Sequence, residues 1–225
     1  MSVKPVIEIT ADGSHTLFIP ELDEHYHSVN GAIQESNHVF IETGLKHCKK
    51  RVIHIFEIGF GTGLNAYLTL LNNRDSETKI YYTAIEAYPL SNNLIESLNY
   101  SHNQTQSDKD LYHKLHTTTW GTAVEIVENF ILTKIEADFT HFEFSKITHD
   151  IDIIYFDAFA PEKQSNMWTQ EIFDKLYSIT SNEGFLVTYC AKGIVRRMMQ
   201  QAGYTTERLP GPPGKREMLR ATKNI

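Results

Sequence analysis

The run Arg51-Val-Ile-His-Ile-Phe-Glu57-Ile-Gly59-Phe60-Gly61-Thr62-Gly63-Leu-Asn-Ala66 constrains this chain more than any other segment. An apolar stretch breaks into alternate glycines and then enters a helical pattern, with a carboxylate two residues before the first glycine. Strand side chains alternate faces, so Val52, Ile53, Ile55, Phe56 and Ile58 predict a strand buried on both sides, as in a parallel sheet. Glycines at alternate positions reach backbone angles closed to other residues and let a ligand approach the main chain without meeting a Cβ. The helix predicted to open near Leu64 aims its unpaired N–H groups into the same turn. The segment therefore reads as a cradle for a nucleotide-type cofactor.

The rest of the chain follows an alternating plan. Val6 to Pro20 predicts a hairpin about Asp12-Gly13, and Glu21 to Cys48 is polar and mostly helical, with Val39, Phe40 and Ile41 packing on the body. Beyond the glycine turn come a helix over Leu64–Leu71, a strand over Lys79–Ile85 ending at Glu86, and a helix opened by Pro89. Ser101 to Thr119 reads as loop and helix. Strands over Phe130–Ala137 and Ile151–Phe156 end at Asp138 and Asp157, followed by a helix over Thr169–Ile179, a strand over Gly184–Cys190 and a helix over Gly193–Ala202. Two final strands, Tyr204–Leu209 and Glu217–Thr222, are joined by a loop too short for a helical crossover and must pair antiparallel. The predicted fold is α/β, a mostly parallel doubly wound sheet with one antiparallel strand near the C-terminal edge, divided into an N-terminal hairpin and helical elaboration (1–50) and a cofactor domain (51–225).

Glu86, Asp138 and Asp157 each follow the last apolar residue of a strand. In open α/β sheets ligands bind beyond the carboxyl ends of the strands, so these carboxylates and the glycine turn are expected to line one crevice. Cys48 and Cys190 form no Cys-x-x-Cys pair, and the 11 histidines include no His-Glu-x-x-His, so neither a disulfide framework nor a metal centre is expected. No apolar run reaches the roughly twenty residues of a membrane span, and Met1-Ser-Val-Lys-Pro-Val lacks the apolar stretch of a secretory signal, which predicts a cytoplasmic protein. The net charge of −7 conceals a polarity: from Cys190 onward eight basic residues face two acidic ones, a local +6 against −13 for the remainder. A polyanion touching only the C-terminal face fits that distribution.

Two cofactor classes remain open on these residues. Gly61-Thr-Gly63-Leu-Asn-Ala66 satisfies the dinucleotide pattern, with Glu86 where a ribose-binding acid belongs, so a nicotinamide oxidoreductase is one reading. The set Glu57-x-Gly59-x-Gly61-x-Gly63 with an acidic end to the next strand instead resembles the first motif of class I S-adenosylmethionine methyltransferases, whose Rossmann-like sheet carries a reversed strand near one edge. Four further segments sharpen that resemblance: Tyr155-Phe-Asp157-Ala-Phe159-Ala-Pro161-Glu-Lys163-Gln-Ser-Asn-Met167-Trp168; Tyr26-His-Ser-Val-Asn-Gly31 with Glu35-Ser-Asn-His-Val-Phe40; Ala191-Lys192-Gly-Ile-Val-Arg196-Arg197; and Pro210-Gly-Pro-Pro-Gly-Lys215-Arg216-Glu217-Met218. Together they are similar to the tRNA 5-methylaminomethyl-2-thiouridine methyltransferases of the MnmC/MnmD type, which act on a modified wobble uridine. Ser165-Asn166 departs from the family's usual proline and acid.

The resemblance implies a set of roles. Glu57 and the turn Gly59-Phe60-Gly61-Thr62-Gly63 would hold the methionine part of S-adenosyl-L-methionine, Glu86 the ribose hydroxyls and Asp138 the adenine amino group, with Tyr26 and Glu35 among the cofactor-binding residues. Asp157 would orient or deprotonate the acceptor amine. Phe159, Pro161, Met167 and Trp168 would offer surface for the base, and Lys163, Lys192, Arg196, Arg197, Lys215 and Arg216 would contact tRNA phosphates about the anticodon loop. The chain stops at Ile225, where bifunctional members continue into a flavin domain, so the expectation is a stand-alone methyltransferase needing neither FAD nor metal. A methyltransferase of a small amine or a protein would share the cofactor site and ignore tRNA.

Overall fold

A computed structural model describes residues 5–224; Met1 to Lys4, on which the expectation about the N-terminus partly rests, and Ile225 lie outside the described residues. The N-terminal hairpin turns where Asp12-Gly13 predicts: β1 (Val6–Ile9) pairs antiparallel with β2 (His15–Ile19), and a short β3 (Glu24–His25) adds a third strand. Helix α1 (Ala32–Ser36) runs into a wider helical turn over Asn37–Glu42 that buries Val39, Phe40 and Ile41.

The main sheet has eight strands: β4 (Val52–Ile58), β5 (Lys79–Glu86), β6 (Ala123–Val127), β7 (Phe130–Glu136), β8 (Ile151–Phe156), β9 (Thr180–Thr188), β10 (Thr205–Pro210) and β11 (Glu217–Thr222), in the order β10-β11-β9-β8-β4-β5-β7-β6. The five central strands are parallel, and β11 runs antiparallel to β10, as the short final loop requires, and also to β9. The other edge departs from expectation. There β6 pairs antiparallel with β7 through the turn Glu128-Asn129, which has no glycine to announce it. Helices α2 (Leu64–Asn73), α3 (Asn92–Glu96), α4 (Gln106–Thr117), α5 (Gln170–Ile179) and α6 (Gly193–Ala202) cover the faces. Pro89 precedes α3 rather than opening it, because Ser91 takes the cap position, and β9 begins at Thr180, four residues before the expected start at Gly184.

Alternation along β4 assigns each face its own core. Ile53 and Ile55 pack with Tyr82, Tyr155, the buried residues of α2, and Leu17, Phe40 and Ile41 from the N-terminal segment. Phe56 and Ile58 pack on the opposite face with Ile154, Phe156, Phe173 and Leu186. Val52, expected inside, is exposed at the start of the strand. Glu57 continues the row of Ile53 and Ile55, so it points at α2 from within the sheet. Because Ile55 has no solvent exposure, Ile55→Ala should lower unfolding stability by about 2–5 kcal/mol, read from urea midpoints at constant slope. A loss well under 1 kcal/mol would contradict this packing.

Candidate active site

Consecutive strands deliver their chemistry to one rim. The N–H of Gly59 donates to Ile85 O at 3.0 Å and that of Asp157 to Ile58 O at 3.2 Å, so the residues following β4, β5 and β8 are held side by side. Beyond them lies a cleft of about 950 Å³, its open mouth included, lined by Gly59 to Thr62, Leu64, Asn65, Glu86, Tyr88, Asp138, Asp157, Phe159 and Met167 among others.

The glycine turn is built for close approach. Gly59 has φ +92°, and a Cβ there would lie 2.9 Å from Asp157 O; Gly61 has φ +47°, and a Cβ there would lie 3.0 Å from the Tyr26 ring. Both positions favour glycine on backbone angle and on space. Thr62 fastens the turn from behind: its carbonyl accepts from Tyr112 Oη at 2.8 Å and His116 Nε2 at 3.1 Å, and its Oγ1 lies 2.7 Å from His27 Nε2. Burial lowers the proton affinity of both imidazoles, His27 to about 4 and His116 to about 3, with Lys134 adding to the second effect. Both act as neutral struts.

Three carboxylates reach the cleft in different electrostatic states. Glu86 accepts from the Gly61 N–H and the Tyr88 N–H, each at 2.9 Å, leaving acceptor capacity on both oxygens. Asp138 caps the short helical turn over Phe139–His141, and hydrogen bonds from Thr140 and His141 hold it below the usual carboxylate range. Asp157 is the opposite case. Burial first, then the Glu35 charge, push it up to about 7, against a hydrogen bond from Asn65 and the Lys215 charge.

Asn65 connects this rim to the carboxylate beneath it. Its Nδ2 donates to Glu57 Oε1 at 3.0 Å and to Asp157 Oδ2 at 2.7 Å. Glu57 is wholly buried and does not line the cleft; desolvation and the Asp157 charge raise its proton affinity well above the glutamate range, which favours the neutral acid. Asn65 Oδ1 and Glu57 Oε2 have no partner among the described residues.

A second hollow, of about 740 Å³, opens on the far side of Asp157. It shares Tyr26, His27, Asp157, Ala158 and Phe159 with the cleft and adds Glu24, His25, Glu35, Tyr189 and Lys215. The ammonium of Lys215 is paired with Glu35 and sits 4.5 Å from the Tyr189 ring centroid. Glu35 also accepts from the Ser28 N–H at 2.8 Å, and Tyr189 Oη donates to Ala158 O at 2.9 Å. Two hollows meeting at one carboxylate can hold a group donor on one side and an acceptor on the other.

A family model described as S-adenosyl-L-methionine-dependent methyltransferase matches residues 99–224, more than half of the chain. The chain belongs to this methyltransferase family. Similar proteins include the bifunctional tRNA 5-methylaminomethyl-2-thiouridine biosynthesis protein MnmC of Burkholderia multivorans, 28% identical over 227 residues that cover 91% of this chain and 33% of that protein. The MnmC protein of Campylobacter fetus is 27% identical over 221 residues, covering 96% of this chain and 35% of its own length. This methyltransferase thus spans about a third of the length of those curated relatives. The crystal structure of MnmC2 from Aquifex aeolicus shares its fold, with TM-score 0.80 and 23% identity over 100% of this chain and 72% of that one.

The cleft of this methyltransferase fits its cofactor. The cradle has no room for a Cβ at Gly59, and acceptors on Asn65, Asp157 and Glu86 suit a ligand carrying positive charge and hydroxyl donors, against apolar walls from Ile85, Phe139 and Met167. Some sequence-predicted residues lie elsewhere than expected. Glu35 lines the second hollow rather than the cofactor cleft, because the Ser28 N–H and Lys215 hold its carboxylate there, while Tyr26 borders both. Met167 lines the cleft on the cofactor side. Trp168 is buried against Phe156, and its Nε1 donates to Phe159 O at 2.8 Å, so it supports the loop instead of presenting a face. Pro161 borders neither hollow.

The basic set thins in the same way. Lys192 pairs with Glu162, Lys163 with Asp23 at 3.1 Å, Arg208 with Glu217 at 3.4 Å and Arg220 with Glu207 at 2.9 Å, while Lys215 turns inward. Among the described residues no ion pair engages Arg196, Arg197 or Arg216, which stand near the start of α6 and in the β10–β11 loop, both at the carboxyl rim of the sheet. Sequence reasoning missed Asn65, His27 and Tyr189. Asn65 carried a signal, as an amide on the first turn of the helix leaving the glycine turn; His27 and Tyr189 lay within or beside motif segments without a role. Among the described residues no group of three or more His, Cys, Asp or Glu side chains is placed to hold a metal ion, and no helix is long and apolar enough to cross a membrane.

A protonated Glu57 makes a prediction of its own. A carboxyl whose proton affinity rises on folding contributes stability at low pH that is lost as pH climbs through its folded value. Glu57→Gln, shaped like the neutral acid but with no proton to take up on folding, should match the wild type within about 1 kcal/mol below the ordinary glutamate pKa of about 4 and be the more stable protein at neutral and alkaline pH. A large loss at neutral pH, measured by urea unfolding, would show that Glu57 is ionised.

Proposed function

We propose that this chain transfers the methyl group of S-adenosyl-L-methionine to the amine of 5-aminomethyl-2-thiouridine at the wobble position of tRNA, giving 5-methylaminomethyl-2-thiouridine, in the cytoplasm. The observation that carries the reading is the junction at Asp157, where a cofactor cleft and a second hollow share one carboxylate of raised proton affinity. The names of the relatives, and their alignment along nine-tenths of this chain, support the choice of acceptor.

The cofactor supplies an electrophilic methyl on a sulfonium, which leaves as a neutral thioether when an amine lone pair takes the methyl. This chain's own residues bind and orient. The turn from Gly59 to Gly63 with Asn65 would hold the amino-acid end, the free lone pairs of Glu86 the ribose hydroxyls, and Asp138 the adenine amino group. An ammonium has no lone pair, so the acceptor must be presented neutral. With its proton affinity near 7, Asp157 is suited to accept that proton at neutral pH and to orient the amine towards the cleft. Phe159, on both hollows and 5.2 Å from the Tyr26 ring, gives an aromatic edge for the base. Arg196, Arg197 and Arg216 would meet phosphates of the anticodon loop, the basic residues already paired within the protein contributing less.

The direct test incubates the purified protein with S-adenosyl-L-methionine and tRNA carrying the aminomethyl base, then weighs the digested nucleosides. One added methyl on that nucleoside is expected; methylation of free amines or proteins with tRNA untouched would overturn the reading. Asp157→Asn should lower turnover by roughly 10²–10⁴-fold with cofactor affinity retained. Neutralising Arg196 and Arg197 should weaken tRNA binding and reduce its salt slope by about 1 for each phosphate no longer engaged. An unchanged slope would place the RNA elsewhere.

A further inference from the structure

On the cleft side Asp157 shares the lining with the carboxylates of Glu86 and Asp138, and several of the other groups about it are uncharged. Burial raises the proton affinity of Glu57, reached through Asn65, and so favours its neutral form, while burial keeps His27 neutral. Tyr26 and Tyr189 border the second hollow with phenols whose proton affinity is raised, chiefly by burial, so both stay neutral. Glu24 and His25 lie on β3, and His25 is engaged by Glu8 at 2.9 Å. Across the hollow, the charges that bear on Asp157 are those of Glu35 and Lys215.

That pair is constructed, not incidental. Glu35 is buried on α1 and Lys215 stands in the β10–β11 loop, 180 residues apart in sequence. Each is fixed by a second contact: Glu35 by the Ser28 N–H, Lys215 by the Tyr189 ring, whose hydroxyl is tied to Ala158 beside Asp157. The loop that carries Lys215 is anchored in turn where His38 Nε2 donates to Pro210 O at 2.7 Å. Placing the Glu35 carboxylate in a buried position costs desolvation that an apolar residue would not, even with the half-buried Lys215 beside it, which points to a use beyond stability.

We propose that Glu35 and Lys215 are positioning residues of the acceptor site: as a balanced charge pair across the hollow from Asp157, touching neither amine nor methyl, they set how readily that carboxylate takes up and releases the acceptor's proton. The inference rests on the reading of Asp157 as the acceptor-facing group. Removing one member unbalances the other, and the two removals act in opposite directions. With Glu35→Gln the Lys215 charge favours ionised Asp157; with Lys215→Met, which keeps the apolar stem over Tyr189, the Glu35 charge opposes it.

The experiment is the pH profile of single-turnover methylation of tRNA carrying the aminomethyl base, with melting curves to confirm folding. The acid limb should move down by roughly one pH unit in Glu35→Gln and up by a similar amount in Lys215→Met. The double variant should return it close to the wild-type position. A purely structural pair would lower turnover without moving the limb, and shifts of equal sign or no shift would overturn the inference. Either single variant decides the sign, so loss of one to misfolding leaves the other. A wild-type chain that leaves this tRNA unmethylated would instead overturn the functional reading first, and the inference with it.

Discussion

The amide of Asn65 is the contact on which the site depends. One nitrogen donates to Glu57 from β4 and to Asp157 from the end of β8, so the first turn of α2 is clamped to two adjacent strands at the point where the chain must bend through its glycines. Two carboxylates this close cannot both ionise cheaply in a buried setting. Burial drives the deeper one towards its neutral form, and the one on the rim is pushed up to about 7. Position within the sheet thus gives two like residues different environments, the kind of separation that acid–base sites exploit.

The N-terminal segment and the C-terminal hairpin give that carboxylate a second side. A Rossmann-like sheet with its glycine turn supplies a cofactor cleft and little else. Here Tyr26 and His27 lean over the turn, Glu35 descends from α1, and Lys215 enters from the loop between the last two strands. The reversal at β11 makes this possible: because β11 runs against β9, the β10–β11 loop emerges at the carboxyl rim, level with Asp157, rather than at the opposite end of the sheet. The core agrees with this arrangement, since Leu17, Phe40 and Ile41 are buried with the residues of β4, β8 and α2.

Local pattern carried most of the framework. The double-sided burial of residues 53–58, the turn at Asp12-Gly13, the helix over Gly193–Ala202 and the antiparallel final strands each follow from spacing and turn chemistry, and each stands where the residues indicated. Strand β6 did not announce itself, because its turn lacks glycine and its side chains are mostly half-exposed or exposed on a sheet edge. At the site, the sequence marked which residues mattered better than what they touch. Motif spacing cannot say that Glu57 lies under the cleft, that Trp168 faces the core, or that Met167 lines the cleft with the glycine turn. Nor can a charge count show that four residues of the basic C-terminal stretch are spent on Glu162, Glu217, Glu35 and Glu207, since those pairings exist only after folding.

A rim that gathers a glycine cradle, a second hollow and a carboxylate of altered proton affinity is a coherent device only if that affinity is real. Carbon-13 labelling of the aspartate carboxyls, with Asp157→Asn identifying the resonance, measures it in the free protein without any substrate. The account predicts a titration midpoint at about 7 for Asp157. A midpoint in the ordinary aspartate range near 4 would mean that the carboxylate is fully ionised and well solvated at neutral pH, and the junction at Asp157 would lose its chemical role.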